Sequence, residues 1–269
     1  MARDIAAPEA GSKAARLRAW TLDALYPPVC VACGAEAASA GGLCGPCFRE
    51  TPFLSGAVCD RCGAPVSGGS GAVLSDAAPF GAAEAACCES CLHAPPAWGR
   101  GRAAALYEGP ARRAVLALKH GDRHEVAPAA ARWMARGGAA LLDGPALIAP
   151  VPLHWTRLAR RRFNQSAELA RALAARLERR ADLALDLLVR ARRTPSQEGR
   201  DRGGRIANVA GAFRVSRRWR GRVAGRRVVL IDDVMTTGAT LSACAEALRA
   251  EGAEADALVL CRVARGDQS

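Results

Sequence analysis

Lysine is almost missing from this 269-residue chain: of 38 basic side chains only Lys13 and Lys119 are lysine, and the rest are arginine. Arginine's planar fork suits bidentate phosphate contacts, although codon usage accounts for such a bias as readily as chemistry does. Aromatic residues are also scarce, with 5 Trp, 5 Phe and 2 Tyr in the whole chain. That excludes an obvious platform for stacking the bases of a single-stranded nucleic acid. Long apolar runs are absent as well: none approaches the roughly 18 uncharged apolar residues of a membrane helix, so no membrane insertion is expected. The first residues carry Arg3, Asp4 and Glu9 with no apolar stretch behind them. They do not read as a secretory signal, and a cytoplasmic location is the expectation.

What is present is unevenly placed. The net charge is +12, and the charged fraction of 24% is ordinary for a globular protein. Residues 1–98, however, hold 6 basic and 9 acidic groups, whereas residues 99–269 hold 32 and 17. Nine of the 11 cysteines fall between Cys30 and Cys91, leaving Cys244 and Cys261 to pack in a core elsewhere. At roughly 150 residues per domain the length allows two modest domains. The expected organisation is a helical lead-in over residues 1–26, a cysteine-rich module over 27–98 and a larger basic domain over 99–269, parting near Pro95 to Arg102.

The lead-in places a short helix around Lys13 to Leu25, stopped by Pro27 and Pro28. Four Cys-x-x-Cys knuckles follow: Cys30 with Cys33, Cys44 with Cys47, Cys59 with Cys62, and Cys88 with Cys91. Two residues between thiolates let a tight turn aim both sulfurs at one tetrahedral ion, and two knuckles complete a four-cysteine zinc site. Four knuckles therefore predict about two structural zincs. Gly34 and Gly63, directly after the second cysteine of their pairs, supply the permissive backbone of such a turn. Disulfides would need an oxidising compartment. Sequential and interleaved pairing both satisfy the arithmetic, and either Cys87 or Cys88 serves with Cys91 beyond a Gly/Ser-rich stretch, Ser67 to Gly71. His93 stands nearby as a substitute ligand or, more simply, a surface residue. A closed tetrathiolate site leaves no open position for a catalytic water, so structure or partner binding is its role.

From about Gly101 strand and helix signals alternate. Strands are expected at Ala103 to Tyr107, Ala146 to Val151, Leu183 to Val189, Val228 to Asp232 and Ala257 to Val263. Helices are expected at Ala111 to Lys119, Glu125 to Met134 and Asn164 to Arg180. A last one begins near Thr240, with Leu241, Cys244, Ala245 and Leu248 on its buried face. This alternation predicts an α/β domain on a mainly parallel sheet flanked by helices.

The most informative stretch is Val228 to Leu241, VVLIDDVMTTGATL. An apolar strand delivers Asp232 and Asp233 at its carboxyl end, where ligands sit in open α/β sheets. The turn after it offers backbone N–H groups, the Thr236, Thr237 and Thr240 hydroxyls, and Gly238 for close backbone approach. Those donors suit a 5′-phosphate. The two carboxylates would repel it, but they accept hydrogen bonds from vicinal ribose hydroxyls or support a magnesium shell. The loop lacks the Lys of a G-x-x-x-x-G-K-[ST] nucleotide loop and the glycines of a dinucleotide fold. Val234 stands where the chemistry of haloacid dehalogenases needs a second acid. The bland alternative is an ordinary strand end with a Ser/Thr-rich turn.

Val228 to Leu241 resembles the 5-phosphoribosyl-1-pyrophosphate (PRPP) loop of type I phosphoribosyltransferases. Together with the tandem knuckles, Val151-Pro152-Leu153, Arg162-Phe163-Asn164-Gln165-Ser166 and the stretch Thr194 to Gln197 with Arg205 and Asn208, it resembles the ComF family, named for competence in DNA uptake. The resemblance runs from about Leu22 to Val263. It implies a type I phosphoribosyltransferase-like sheet preceded by a double zinc ribbon. It also implies that Asp232 and Asp233 hold the ribose hydroxyls, and that Thr236, Thr237, Gly238, Ala239 and Thr240 hold the 5′-phosphate of PRPP with its magnesium. The segment after Val151 becomes the pyrophosphate loop, with Arg157, Arg161 and Arg162 as candidate contacts beside Arg160. At about 100° per helical residue not all four face one ligand. Arg190 to Asn208 becomes a closing loop, with Glu198 and Arg200 in it. No general base is evident. Lys119, beside His120, and Arg162 are the candidates for a catalytic part, and a surface role fits Lys119 equally well.

Two functions follow from these expectations. One is an enzyme that transfers phosphoribosyl from PRPP to an acceptor. The other is a PRPP-sensing adaptor of DNA uptake, with single-stranded DNA on its basic surface and uptake or recombination proteins on its ribbon. Six arginines within Arg190 to Arg205 and six within Arg217 to Arg227 support the second, unless they form a solvated loop.

Overall fold

The computed structural model describes residues 27–66, 86–119, 123, 125–153, 163–177, 181–192 and 202–264. The helix expected around Lys13 to Leu25 and the stretch Ser67 to Gly71 lie outside them. In chain order the elements are α1 (Gly45–Glu50), α2 (Glu89–His93), β1 (Gly101–Leu106), α3 (Gly109–Lys119), α4 (Val126–Gly137), α5 (Ala139–Leu142), β2 (Ala146–Pro150) and α6 (Gln165–Leu177). Then come β3 (Ala181–Leu183), β4 (Leu188–Arg190), α7 (Arg202–Val209), β5 (Phe213–Val215), β6 (Arg227–Met235), α8 (Ala239–Arg249) and β7 (Glu254–Arg262). No helix among the described residues is long and apolar enough to cross a membrane.

Five strands form one parallel sheet in the order β1-β7-β6-β2-β3. A parallel sheet is covered by helices on both faces, so its strands read as continuous apolar runs. Val228, Val229, Leu230 and Ile231 of β6 show how period two divides such a run. Val228 and Leu230 join Leu147, Ala149 and Val259 under Leu241, Cys244 and Leu248 of α8. Val229 and Ile231 join Ile148 and Leu258 under Val115 of α3, Met134 of α4 and Leu169 and Leu173 of α6. Cys244 and Cys261 are fully buried, one on each face, as expected of core cysteines.

The strand expected from Leu183 to Val189 is two strands in different sheets. β3 ends the main sheet beside β2, while β4 pairs antiparallel with β5 in a separate hairpin. The break falls at Asp186, whose carboxylate accepts hydrogen bonds from Trp219 Nε1 at 2.9 Å and Arg218 Nη1 at 3.1 Å. These pin a turn that an apolar pattern does not show. The stretch expected to close as a loop, Arg190 to Asn208, holds the end of β4 and most of α7 among its described residues.

The cysteine-rich module covers the β1 edge of the sheet. Phe53 bridges Ala105 in antiparallel sense, with Leu54 N–H donating to the Ala104 carbonyl and Leu106 N–H to that of Pro52, each at 3.0 Å. An open edge strand invites pairing with other chains, and this one is satisfied internally. Leu173 is wholly buried on α6. Leu173→Ala should lower unfolding stability by about 3 kcal/mol in chemical denaturation, through lost burial and the cavity left behind. A cost below about 1 kcal/mol would contradict the packing of α6 on the sheet.

Candidate functional site

At the carboxyl end of the sheet β6 brings Asp232 and Asp233 out beside the starts and ends of two helices. Ser166, in the first turn of α6, donates its hydroxyl to Asp232 Oδ1 at 2.8 Å, and the Asp233 N–H donates to the same oxygen at 3.0 Å. Lys119, the last residue of α3, places Nζ 3.3 Å from Asp233 Oδ2, with both side chains largely withdrawn from solvent. An ammonium there also complements the helix's carbonyl end. Desolvation and the charge of Asp233 raise the Asp232 carboxyl to about 7, against the pull of Ser166, the Asp233 N–H and Lys119. The Asp232 carboxyl thus becomes a full hydrogen-bond acceptor only as its ionisation is completed near neutrality.

The turn that follows opens α8. Gly238 sits at φ +78°, in the left-handed region, and serves as N-cap of α8. The helix starts at Ala239, one residue before the expected Thr240, and Ser242 N–H closes its first turn on the Gly238 carbonyl at 2.9 Å. First-turn N–H groups of a helix have no partner one turn back within it, and that of Ala239 donates to Thr237 Oγ1 at 3.4 Å. Thr236 is exposed, Thr237 and Thr240 half-buried, and Gly238 and Ala239 buried. Asn164 sets the entry to α6. Its side-chain oxygen accepts from Ser166 N–H at 3.1 Å, and its amide donates to the Val151 carbonyl at 3.1 Å, tying the helix to the end of β2.

Of the residues expected at the site, the structure brings Lys119 to the aspartates and places Thr236 to Thr240 just beyond them. Arg157, Arg160, Arg161, Arg162, His120, Glu198, Arg200 and Thr194 to Gln197 lie outside the described residues, as does the side chain of Arg205. Ser166 is the contributor that sequence reasoning missed. Its motif was visible, but nothing in the sequence said that its hydroxyl reaches Asp232.

The cysteines form two clusters, Cys30, Cys33, Cys44 and Cys47, and Cys59, Cys62, Cys88 and Cys91, the sulfurs of each lying within 4.8 Å of one another. Pairing is sequential, and the second cluster takes Cys88 rather than Cys87. The two are built alike. Gly34 and Gly63 adopt φ +79° and +66°, and their N–H groups donate to the carbonyls of Cys30 and Cys59 at 2.9 and 2.7 Å. Cys44 and Cys88 are the N-caps of α1 and α2. Sulfurs held about 2.3 Å from a tetrahedral zinc lie about 3.8 Å apart. Cys33 and Cys44 are separated by 3.6 Å, and Cys62 and Cys88 by 3.7 Å. In the first cluster burial opposes ionisation of Cys30, yet backbone N–H groups of Cys44, Ala32 and Cys33 bring its thiol down to about 6. Burial lifts Cys47 to about 12. A divalent ion lets all four stand as thiolates together, so the clusters are consistent with two structural zincs. His93 is a surface residue, 3.8 Å from Glu89 on its own helix.

The arginines of residues 217–227 occupy the turns between β5 and β6 and, at Arg227, the first position of β6, and four of them face carboxylates. Arg218 meets Asp186 at 3.1 Å, Arg220 meets Glu251 at 3.8 Å, Arg226 meets Asp182 at 3.3 Å, and Arg227 meets Asp256 at 2.9 Å. Much of that positive charge is balanced within the fold.

A helix-flanked parallel sheet with an acid pair and a glycine turn at its carboxyl edge, preceded by paired four-cysteine knuckles, defines a phosphoribosyltransferase-type domain joined to a double zinc ribbon. The chain matches the Double zinc ribbon domain family over residues 21–92 and the Phosphoribosyl transferase domain family over residues 164–268. It is 32% identical to the DNA utilization protein YhgH of Escherichia coli K12 over 228 residues, covering 82% of this chain and 90% of that protein. The same-named protein of Salmonella typhimurium is 32% identical over 84% of this chain and 93% of its own. Competence protein F of Haemophilus influenzae is 34% identical over 41% of this chain and 47% of its own. The chain belongs to the ComF family.

Metal analysis of the purified protein should find two zincs per chain. Cys88→Ser should lose one and Cys87→Ser none; the reverse result would overturn the ligand set of the second cluster.

Proposed function

We propose that this protein binds PRPP with magnesium at the carboxyl edge of its sheet and transfers the phosphoribosyl group to an acceptor, within a role in DNA use. The observation that supports this most is the contiguity of two unlike recognition surfaces. Asp232 and Asp233, held by Ser166 and Lys119, present carboxylate oxygens, and the Thr236 to Thr240 turn presents threonine hydroxyls and the start of α8. A ribose 5-phosphate has a diol to donate and a phosphate to accept, in that order along the sugar.

In this reading Asp232 and Asp233 hold the ribose hydroxyls, and Thr236, Thr237, Gly238, Ala239 and Thr240 hold the 5′-phosphate. Magnesium, when bound, neutralises pyrophosphate charge. The bond from C1 to the pyrophosphate oxygen breaks as a bond from an acceptor nitrogen to C1 forms, and the acceptor gives up its proton. The protein's part is positioning and charge balance. Lys119 pairs with Asp233 beside Asp232. Arg157, Arg161 and Arg162 are assigned to the pyrophosphate by the family resemblance.

The second reading, a PRPP-sensing adaptor that holds single-stranded DNA, is supported by the names of the relatives and by exposed Arg214, Arg217 and Arg222. The ion pairs of Arg218, Arg220, Arg226 and Arg227 weaken its charge argument. Binding to DNA through phosphates falls steeply with salt, so an affinity that is flat from low to physiological salt contradicts it.

Calorimetry tests the PRPP site that both readings share. Magnesium-dependent PRPP binding should vanish in the Asp232→Asn, Asp233→Asn double variant while zinc content stays at the wild-type value. Retained affinity would sink the assignment. Because the carboxyl of Asp232 titrates at about 7 and ribose hydroxyls donate to its ionised form, affinity should climb as pH rises toward about 7 and level off above it. In Asp232→Asn that pH dependence should disappear, leaving only the titration of the ligand.

A further inference from the structure

The two ribbons are anchored differently. The first rests on the helices of one face: Arg113 Nη2 lies 3.6 Å from Cys47 Sγ, and Arg123 Nη2 donates to the Cys30 carbonyl at 3.1 Å. The second rests on the phosphate loop. Trp98, 4% exposed, donates its indole N–H to the Arg61 carbonyl at 2.6 Å, inside the Cys59-x-x-Cys62 knuckle. The same ring lies flush on Gly238. A Cβ added there would stand 2.5 Å from Trp98 Cη2 and 3.3 Å from Cζ3, so only a hydrogen fits between loop and ring.

A second strut runs parallel to the first. Arg262, 1% exposed at the end of β7, donates from Nη1 to the Cys62 carbonyl. It stands in register with Met235, the last residue of β6 before the loop, and Val263 N–H donates to the Met235 carbonyl at 2.9 Å. Cys59, Cys62, Cys91, Trp98, Met235 and Ala239 share one buried cluster. Between knuckle and loop opens a groove of about 530 Å³ lined by Cys62, Cys91, Trp98, Thr237 and Ser242 among others.

We infer that Trp98 is a positioning residue through which the second zinc site sets the conformation of the Thr236 to Thr240 turn, so that zinc at Cys59, Cys62, Cys88 and Cys91 and ribose phosphate at the turn stabilise each other. This rests on the reading of that turn as a phosphate site. The knuckle, closed by its metal, fixes the Arg61 carbonyl. The carbonyl fixes the indole plane, and the indole forms the wall that holds Gly238 in its left-handed conformation. An opened knuckle releases the ring, and the loop must then be ordered by the ligand itself, which costs affinity. Coupling between two sites is reciprocal, so phosphate bound at the turn must slow the opening of the knuckle.

The test is zinc release from the zinc-loaded, full-length protein to a chromogenic chelator, with and without saturating ribose 5-phosphate. That probe engages the turn but lacks the pyrophosphate that would itself bind zinc. One zinc of the two should leave about fivefold or more slowly when ribose 5-phosphate is bound, and the other at an unchanged rate. Trp98→Phe keeps an aromatic side chain but loses both the N–H donor and the ring atoms that lie on Gly238, and should narrow the difference; Trp98→Ala should remove it. Ribose 5-phosphate that binds by calorimetry yet alters neither release rate, or both alike, overturns the coupling. Full slowing in Trp98→Phe overturns the part assigned to the indole N–H, whether or not Trp98→Ala folds. If calorimetry detects no binding to the wild type, it is the phosphate-site reading that fails.

Discussion

Two carboxylates set side by side at the end of a buried strand repel each other and lose hydration, and the surrounding elements are arranged around that cost. Asp232 and Asp233 leave β6 where Ser166 opens α6 and Lys119 closes α3. Each helix delivers one compensating group, a hydroxyl donor to one acid and an ammonium to the other. Their packing on one face of the sheet, through Leu169 and Leu173 of α6 and Val115 and Leu118 of α3, brings both groups to the same edge. The compensation is incomplete, since the Asp232 carboxyl stays raised to about 7. In the proposed reading a ligand that brings hydroxyl donors or a cation supplies the rest.

The ribbons solve a different problem with the same economy of means. So small a cysteine-rich segment buries little apolar surface, and metal ligation takes the place of a core. Once formed, the module gives the larger domain an antiparallel partner for the β1 edge through Phe53 and Leu54. It also gives a wall for the phosphate loop through Trp98. The acidic module and the basic domain joined to it are thus neighbours in packing as well as in sequence.

Local signals told much of this in advance. The run from Val228 to Ile231, the acid pair after it and the T-T-G-A-T turn are contiguous, so the strand, the acids at its end and the start of the next helix were legible together. The Cys-x-x-Cys spacing gave the number of metal sites, but the choice of Cys88 over Cys87 depends on which thiol the start of α2 turns inward. What escaped were contacts between distant segments. Asp186 breaks an apolar run because Trp219 and Arg218 reach it from more than 30 residues away. The arginines of residues 217–227 looked like a phosphate-binding surface until Asp182, Asp186, Glu251 and Asp256 were found opposite them. Ser166 and Trp98 carry no sequence mark of the residues they touch.

The proposed reading gives a bound sugar phosphate one orientation: its diol toward Asp232 and Asp233, its 5′-phosphate in the turn after them. Phosphorus NMR of PRPP with magnesium reads that orientation directly, because the 5′-phosphate and the two pyrophosphate phosphorus atoms resonate apart. Addition of the protein should shift or broaden the 5′-phosphate signal, and Thr237→Val should weaken that effect. A 5′-phosphate signal that stays unmoved, with or without a response from the pyrophosphate, would contradict that orientation.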